Sequence, residues 1–165
     1  MEQKDTKVIS QENALKRMMR ICSRKEYSTY DIKQKLYKLQ QSQSSIDTII
    51  SELTKNKFIN DERFARSFIK DKLQFSKWGE VKIRYSLRQK QISDSLIDAV
   101  IEELAPNSLN EHLQTIVERK YQSVKGETVY EKRTKVIKFA LGRGFNMNDI
   151  IRCLDKISTS DEEIW

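Results

Sequence analysis

Residues 58–69 read FINDERFARSFI, and the order of polar and apolar residues in them decides the fold class. A short polar side chain at Asn60 or Asp61 accepts a hydrogen bond from an orphan N–H in the first turn of a helix. Acids at that end suit its partial positive charge. Phe64, Ala65, Phe68, Ile69 and Leu73 then share one face at 3.6-residue spacing. Arg63, Arg66 and Lys70 share a different stripe. The stretch therefore predicts an amphipathic helix with Phe64 and Phe68 in the core and a basic face outside.

Composition points the same way. The chain has 165 residues, of which 38% are hydrophobic and 33% charged, too lean for one large round core. It has only 4 Gly and 1 Pro, fewer than strands joined by tight turns usually need. An all-helical protein with much exposed surface is expected. No apolar run approaches the roughly 18 residues of a membrane span. The start, MEQKDTKVISQEN, lacks the apolar core of a signal peptide, so no membrane is expected and the cytoplasm is the default location. Cys22 and Cys153 are expected to be buried, reduced thiols.

Working outward, three windows share one apolar spacing. They are Ile32, Leu36, Ile46, Ile49; then Ile83, Leu87, Ile97, Val100; then Ile137, Leu141, Ile151, Leu154. Each runs first residue, +4, +14, +17, and the windows are offset by 51 and then 54 positions. Steps of 3 or 4 keep a pair on one helix face, and the gap between pairs leaves room for a turn. Each window is a helical hairpin. An amphipathic helix precedes each: Leu15, Met18, Met19 and Cys22; the opening helix; and Leu113, Ile116, Val117 and Tyr121. Ser28 with Asp31, Ser108 with Glu111 and Thr128 with Glu131 have capping-box spacing.

The expected architecture is three tandem three-helix repeats, 14–60, 61–107 and 108–157, in an elongated, curved array. A polar segment (1–13) precedes them and an acidic tail (158–165) follows.

The net charge of +7 is unevenly placed. Residues 14–38, 62–90 and 116–143 hold 25 of the 31 Lys and Arg, so the bases gather on the first two helices of each unit. Lys16, Arg20 and Arg24 step by four along one face. Lys82, Arg84 and Arg88 stand on the middle unit, with both Arg heads expected in solvent. Lys132, Lys135 and Lys138 form a looser third stripe. A solvated face is the ordinary account of such runs. A one-signed stripe recurring in three units is self-repelling unless a polyanion or an acidic partner relieves it. Nucleic acid, single- or double-stranded, or an acidic groove on a protein that holds it, is the expected partner. Catalytic residues and cofactors are not expected. His112 is the lone histidine, no close cysteine pair offers a zinc site, and Gly142-Arg143-Gly144 follows a helix and reads as a helix stop.

Tyr27-Ser28, Ile32, Lys35 and Leu36, then Leu53 and Asn60-Asp61-Glu62-Arg63-Phe64-Ala65, then Gly79, Ile83 and Leu87, resemble the RecX family of RecA regulators. The resemblance covers about residues 14–157. Lys57 departs from it where the family often has Gly, so Asn56 or Lys57 is expected in the left-handed conformation. The third repeat matches poorly. The resemblance implies a curved array of three-helix repeats that binds the RecA–DNA filament along its groove and most often inhibits RecA; a monomer is expected. In some lineages the family supports recombination instead. Two rival classes are a stand-alone DNA-binding protein built from helix-turn-helix-like units, which would act without RecA, and a nuclease, which would need a divalent metal.

Overall fold

The computed structural model describes residues 8–105 and 108–162, which form nine α-helices. They are α1 Gln11–Cys22, α2 Thr29–Lys38, α3 Gln43–Lys55, α4 Asp61–Asp71, α5 Glu80–Gln89, α6 Asp94–Leu104, α7 Ser108–Ser123, α8 Val129–Gly142 and α9 Met147–Glu162. A π-helical turn, Lys72–Ser76, extends α4. The fold is all-α, in three-helix repeats. α1 starts three residues before the expected repeat boundary, and α9 continues to Glu162, into the stretch read as a tail. Polar side chains open the helices. Ser28 accepts from the Asp31 N–H (3.1 Å), Ser42 from Ser45 (3.1 Å), Ser93 from Leu96 (3.3 Å) and Thr128 from Glu131 (3.1 Å). Each such cap is worth about 1 kcal/mol against Ala. The Ser108 side chain lies outside the described residues.

The contacts sort the chain into two compact units. One ends at Ser67 and includes Lys90–Ile92; the other takes Phe68–Gln89 and continues from Ser93. In the first, α3 packs on α1 and α2 around Ala14, Met18, Ile32, Leu36, Ile46, Ile49, Leu53 and Ile59. The α1 face is rotated from the expected one. Ala14 and Met18 are buried, whereas Leu15, Met19 and Cys22 are half-buried at the margin.

The opening stretch answers its own question here. Asn60 caps α4 by accepting from the Arg63 N–H at 2.9 Å. Asp61 turns to α2 instead, accepting from the Thr29 N–H at 2.8 Å beside the Ser28 cap. Arg63 bonds Glu26 and donates to the carbonyls of Lys57 (3.0 Å) and Phe58 (3.3 Å), just past the end of α3. Lys57 itself is left-handed at φ 59°, as the missing glycine required.

The repeat is visible in one recurring turn. Gln40-Gln41-Ser42, Gln91-Ile92-Ser93 and Gly144-Phe145-Asn146 each join a second helix to a third. Their first residues have φ of 58°, 57° and 91°. Their second residues are buried and their third cap the next helix. Gln41 occupies a buried apolar position because its amide is satisfied: it donates to the Ile9 carbonyl (2.8 Å) and accepts from Ser45 (2.7 Å).

The first eight window residues are buried as expected. In the third window Leu154 alone is buried. Leu141 is 41% exposed, Ile151 37% exposed and Ile137 half-buried. Val136, Ala140 and Ile150 are buried in their place. Those three with half-buried Cys153 keep the same +4, +14, +17 spacing, one residue earlier. Bulk misled the reading: the small Ala140 takes the core position, and larger residues stand on the flank.

In the second unit α5 packs on α6, and α7, α8 and α9 pack on one another around Leu113, Val117, Val136, Ala140, Phe145, Ile150 and Leu154. The start of α5 meets the α8–α9 turn backbone to backbone. Gly79 donates to the Arg143 carbonyl at 2.7 Å, and Val81 to the Gly144 carbonyl at 3.0 Å. A Cβ on Gly79 would lie 2.3 Å from the Gly144 oxygen, and one on Gly144 2.2 Å from the Lys82 Cβ. The expected core pair also splits. Phe64 is 8% exposed, but Phe68 is only half-buried, edge-on to Trp78 at 6.2 Å between centroids.

The thiols are half-buried rather than buried. Burial, helped by the Glu26 charge, pushes Cys22 up to about 11, and burial raises Cys153 too, so both stay protonated near neutrality.

Two outcomes are expected. Gly79→Ala should destabilise by about 3 kcal/mol or more, read as a strongly lowered urea midpoint, because the clash is with the backbone of Gly144 and Phe145. A midpoint equal to wild type would contradict the crossing. Arg63→Ala should cost about 1–3 kcal/mol despite the exposure of the side chain, since it leaves Glu26 and two carbonyls without their donor. Thermal melts of the variant measure this.

Candidate nucleic-acid interface

A cation binds a phosphate well only if its charge is not already spent on a neighbouring acid. Several of the expected contact residues are spent in this way. Arg66 pairs with Glu62 at 3.0 Å, and Arg63 is held as described. Arg84 does not stand in solvent. Its side chain is 23% exposed and bonds Glu80 at 2.7 Å and also Asp98 on α6. Burial alone would lower the Arg84 guanidinium, but those two hydrogen bonds outweigh it and hold the pKa above its ordinary value. Arg88 pairs with Asp94 at 2.7 Å, with more than half of its side chain exposed. Arg133 on α8 meets Asp155 on α9 in the same manner, at 2.7 Å. Acids on the third helices thus relieve part of the self-repulsion along the second helices. A stripe read along one helix does not reveal the acids on the next.

The remaining expected residues are scattered. Lys16 pairs with Glu12 at 2.8 Å on the exposed side of α1. Arg20 is exposed on α1, but Arg24 lies past the helix end, so the stripe is broken. Lys70 and Lys138 are exposed on α4 and α8. Lys135 donates to the Lys125 carbonyl.

Lys82 and Lys132 belong to a different arrangement, in which cations lie over rings. The π-helical turn is closed by the Trp78 N–H donating to the Lys72 carbonyl at 3.0 Å, with Lys77 left-handed at φ 52°. Trp78 then sits between two ammonium groups. Lys82 Nζ is 4.4 Å and Lys72 Nζ 4.9 Å from its ring centre. Lys82 also reaches the Gly142 carbonyl at 3.3 Å. The next residue but one on that strand of chain after Gly142 is Gly144, and between them Arg143 donates to the Ser76 carbonyl at 2.8 Å. The Arg143 guanidinium lies 5.2 Å from the Phe139 ring, and Lys120 Nζ 4.7 Å from it. Lys132 Nζ is 5.7 Å from the Tyr121 ring.

A ring holds a cation in place by about 0.5–1 kcal/mol at an exposed site and leaves its charge in force. The contacts of Lys82, Arg143 and Lys120 are rings and carbonyl oxygens. Lys72 alone of the set has an acid, Asp71 at 3.1 Å. The second unit therefore carries a series of positioned, largely uncompensated cations interleaved with aromatic rings. Lys72, Lys120 and Arg143 were not singled out from the sequence. The close spacing of Lys72, Trp78 and Lys82 was a usable signal, whereas Arg143 and Lys120 join only through tertiary packing. Among the described residues, no three His, Cys, Asp or Glu come together to hold a metal, and no helix is long and apolar enough to cross a membrane.

Residues 60–101 match the second three-helix domain of RecX, and residues 110–154 the third. The regulatory protein RecX of Chlorobium phaeobacteroides (strain BS1) is 30% identical over 142 residues, covering 86% of this chain and 91% of that protein. The regulatory protein RecX of Clostridium tetani (strain Massachusetts / E88) is 34% identical over 141 residues, covering 82% of this chain and 62% of that protein. Among solved structures, RecX from Lactobacillus salivarius shares the fold at a TM-score of 0.77 and 19% identity, over 90% of this chain and 97% of that one. With matched domains along most of its second and third repeats and a full-length relative at this identity, the chain belongs to the RecX family of regulatory proteins.

Proposed function

We propose that this protein is a monomeric, cytoplasmic regulator that binds the RecA–DNA filament and lowers RecA activity in recombination and the SOS response. The observation that carries the reading is the series of uncompensated cations at Lys82, Arg143 and Lys120, set among rings. Phosphates of filament DNA, or acids on RecA, would relieve a charge that this chain leaves standing. Lys70 and Lys138 add exposed charges on the same unit. The names of the relatives support a regulatory role and RecA as the regulated protein. A stand-alone DNA reader is less well supported. It would need one helix with side chains free for base edges, and α5 has Arg84 and Arg88 engaged with acids.

The direct test is RecA ATPase on single-stranded DNA, which should fall when the protein is added. An effect on DNA transactions that persists without RecA would favour the stand-alone reading. At residue level, Lys82→Ala with Lys120→Ala should weaken binding to filament and duplex. If both heads contact phosphates, the log–log salt slope on duplex should flatten by about 1.8. Arg84→Ala with Arg88→Ala should instead lower thermal stability, by about 1 kcal/mol after allowing for the exposure of the pairs, and leave that slope nearly unchanged. The reverse pattern would return the site to the α5 stripe.

A further inference from the structure

Phe75 is 79% exposed, on the π-helical turn between α4 and α5. It contributes little to the core, since most of its ring stays in water. Yet the turn it stands on is tied at two points. The turn is closed at its far end by the Trp78 N–H on the Lys72 carbonyl at 3.0 Å, and the next carbonyl, Ser76, takes the Arg143 guanidinium at 2.8 Å. An apolar ring held outward on a hydrogen-bonded turn is a surface made for a partner, and π-helical turns are frequent at functional sites.

The surroundings say which partner. Lys72, Lys77, Lys82 and Arg143 belong to this turn or pack on it, and the acids that flank it in the chain, Asp71 and Glu80, are paired with Lys72 and Arg84. The partner is therefore an anion that also offers a flat apolar face. Single-stranded nucleic acid is both: phosphates on one edge and bases free to stack. A duplex hides its base faces within the stack. We propose that Phe75 is a base-stacking residue for single-stranded nucleic acid, with the cations around the turn holding the adjoining phosphates. This rests on the reading that the chain binds nucleic acid.

The experiment is fluorescence anisotropy with a labelled oligo-dT strand, a matching strand of abasic sugars, and a duplex. Phe75→Ala should melt at the wild-type temperature. It should bind oligo-dT about tenfold more weakly with an unchanged salt slope, since a ring contacts no phosphate. Lys82→Ala should flatten that slope by about 0.7. Phe75→Trp should retain affinity. On the abasic strand and the duplex, Phe75→Ala and wild type should bind alike. Equal binding of Phe75→Ala and wild type to oligo-dT would overturn the inference while leaving the nucleic-acid reading intact. So would a loss as large on the abasic strand. A variant normal on every strand but inactive toward RecA would assign Phe75 to a protein contact and overturn it too. Wild type that binds no strand would remove the nucleic-acid reading itself.

Discussion

The crossing of Gly79 over Gly144 governs the second unit. Two backbones meet where neither has room for a Cβ, and the amides at the start of α5 find their acceptors on the α8–α9 turn. The first turn of a helix has four N–H groups with no partner of their own, and here the other strand of chain supplies two acceptors for this region. The crossing also sets the register of everything beside it. It brings Arg143 to the Ser76 carbonyl and Lys82 to the Gly142 carbonyl. The Lys82 ammonium over Trp78 and the Arg143 bond to the π-helical turn lie beside it.

Charge is apportioned by the same packing. The chain has an excess of bases, but burial and helix pairing divide them into two kinds. Arg84, Arg88 and Arg133 face acids on the following helix and hold hairpins together. Lys82, Arg143 and Lys120 face rings and carbonyls and keep their charge for something else. An arginine with its planar fork suits a carboxylate, which fits the helix–helix pairs being arginine in all three cases.

Local features of the fold were legible in the sequence because local chemistry determines them. The Ser28 and Thr128 caps, the left-handed Lys57 and the spacing within each hairpin all depend on residues a few positions apart. Features that depend on a neighbouring helix were not. Ala140 is in the core through packing against α7 and α9, and nothing in its own segment marks it over Leu141. The same limit misplaced Arg84, whose second acid lies fourteen residues away on α6. In FINDERF, the sequence pattern showed that Asp61 belongs to a helix start but not that the start it caps is that of α2.

The turn that opens each third helix has a consequence for where the chain tolerates change in length. The buried residues on either side of it keep a fixed separation, Leu36 to Ile46, Leu87 to Ile97 and Ala140 to Ile150. The connection before it does not. Met18 to Ile32 and Ile69 to Ile83 span 14 positions, but Val117 to Val136 spans 19. One residue added at Gln91 would rotate α6 by about 100° and carry Ile97 and Val100 off the core face. The extra length between α7 and α8 rotates nothing, because Thr128 restarts α8 with its own cap. The stretch between Ser123 and Thr128 is thus the natural place to lodge a foreign peptide or a dye, and the repeats are free to drift in size there while their hairpins stay in phase.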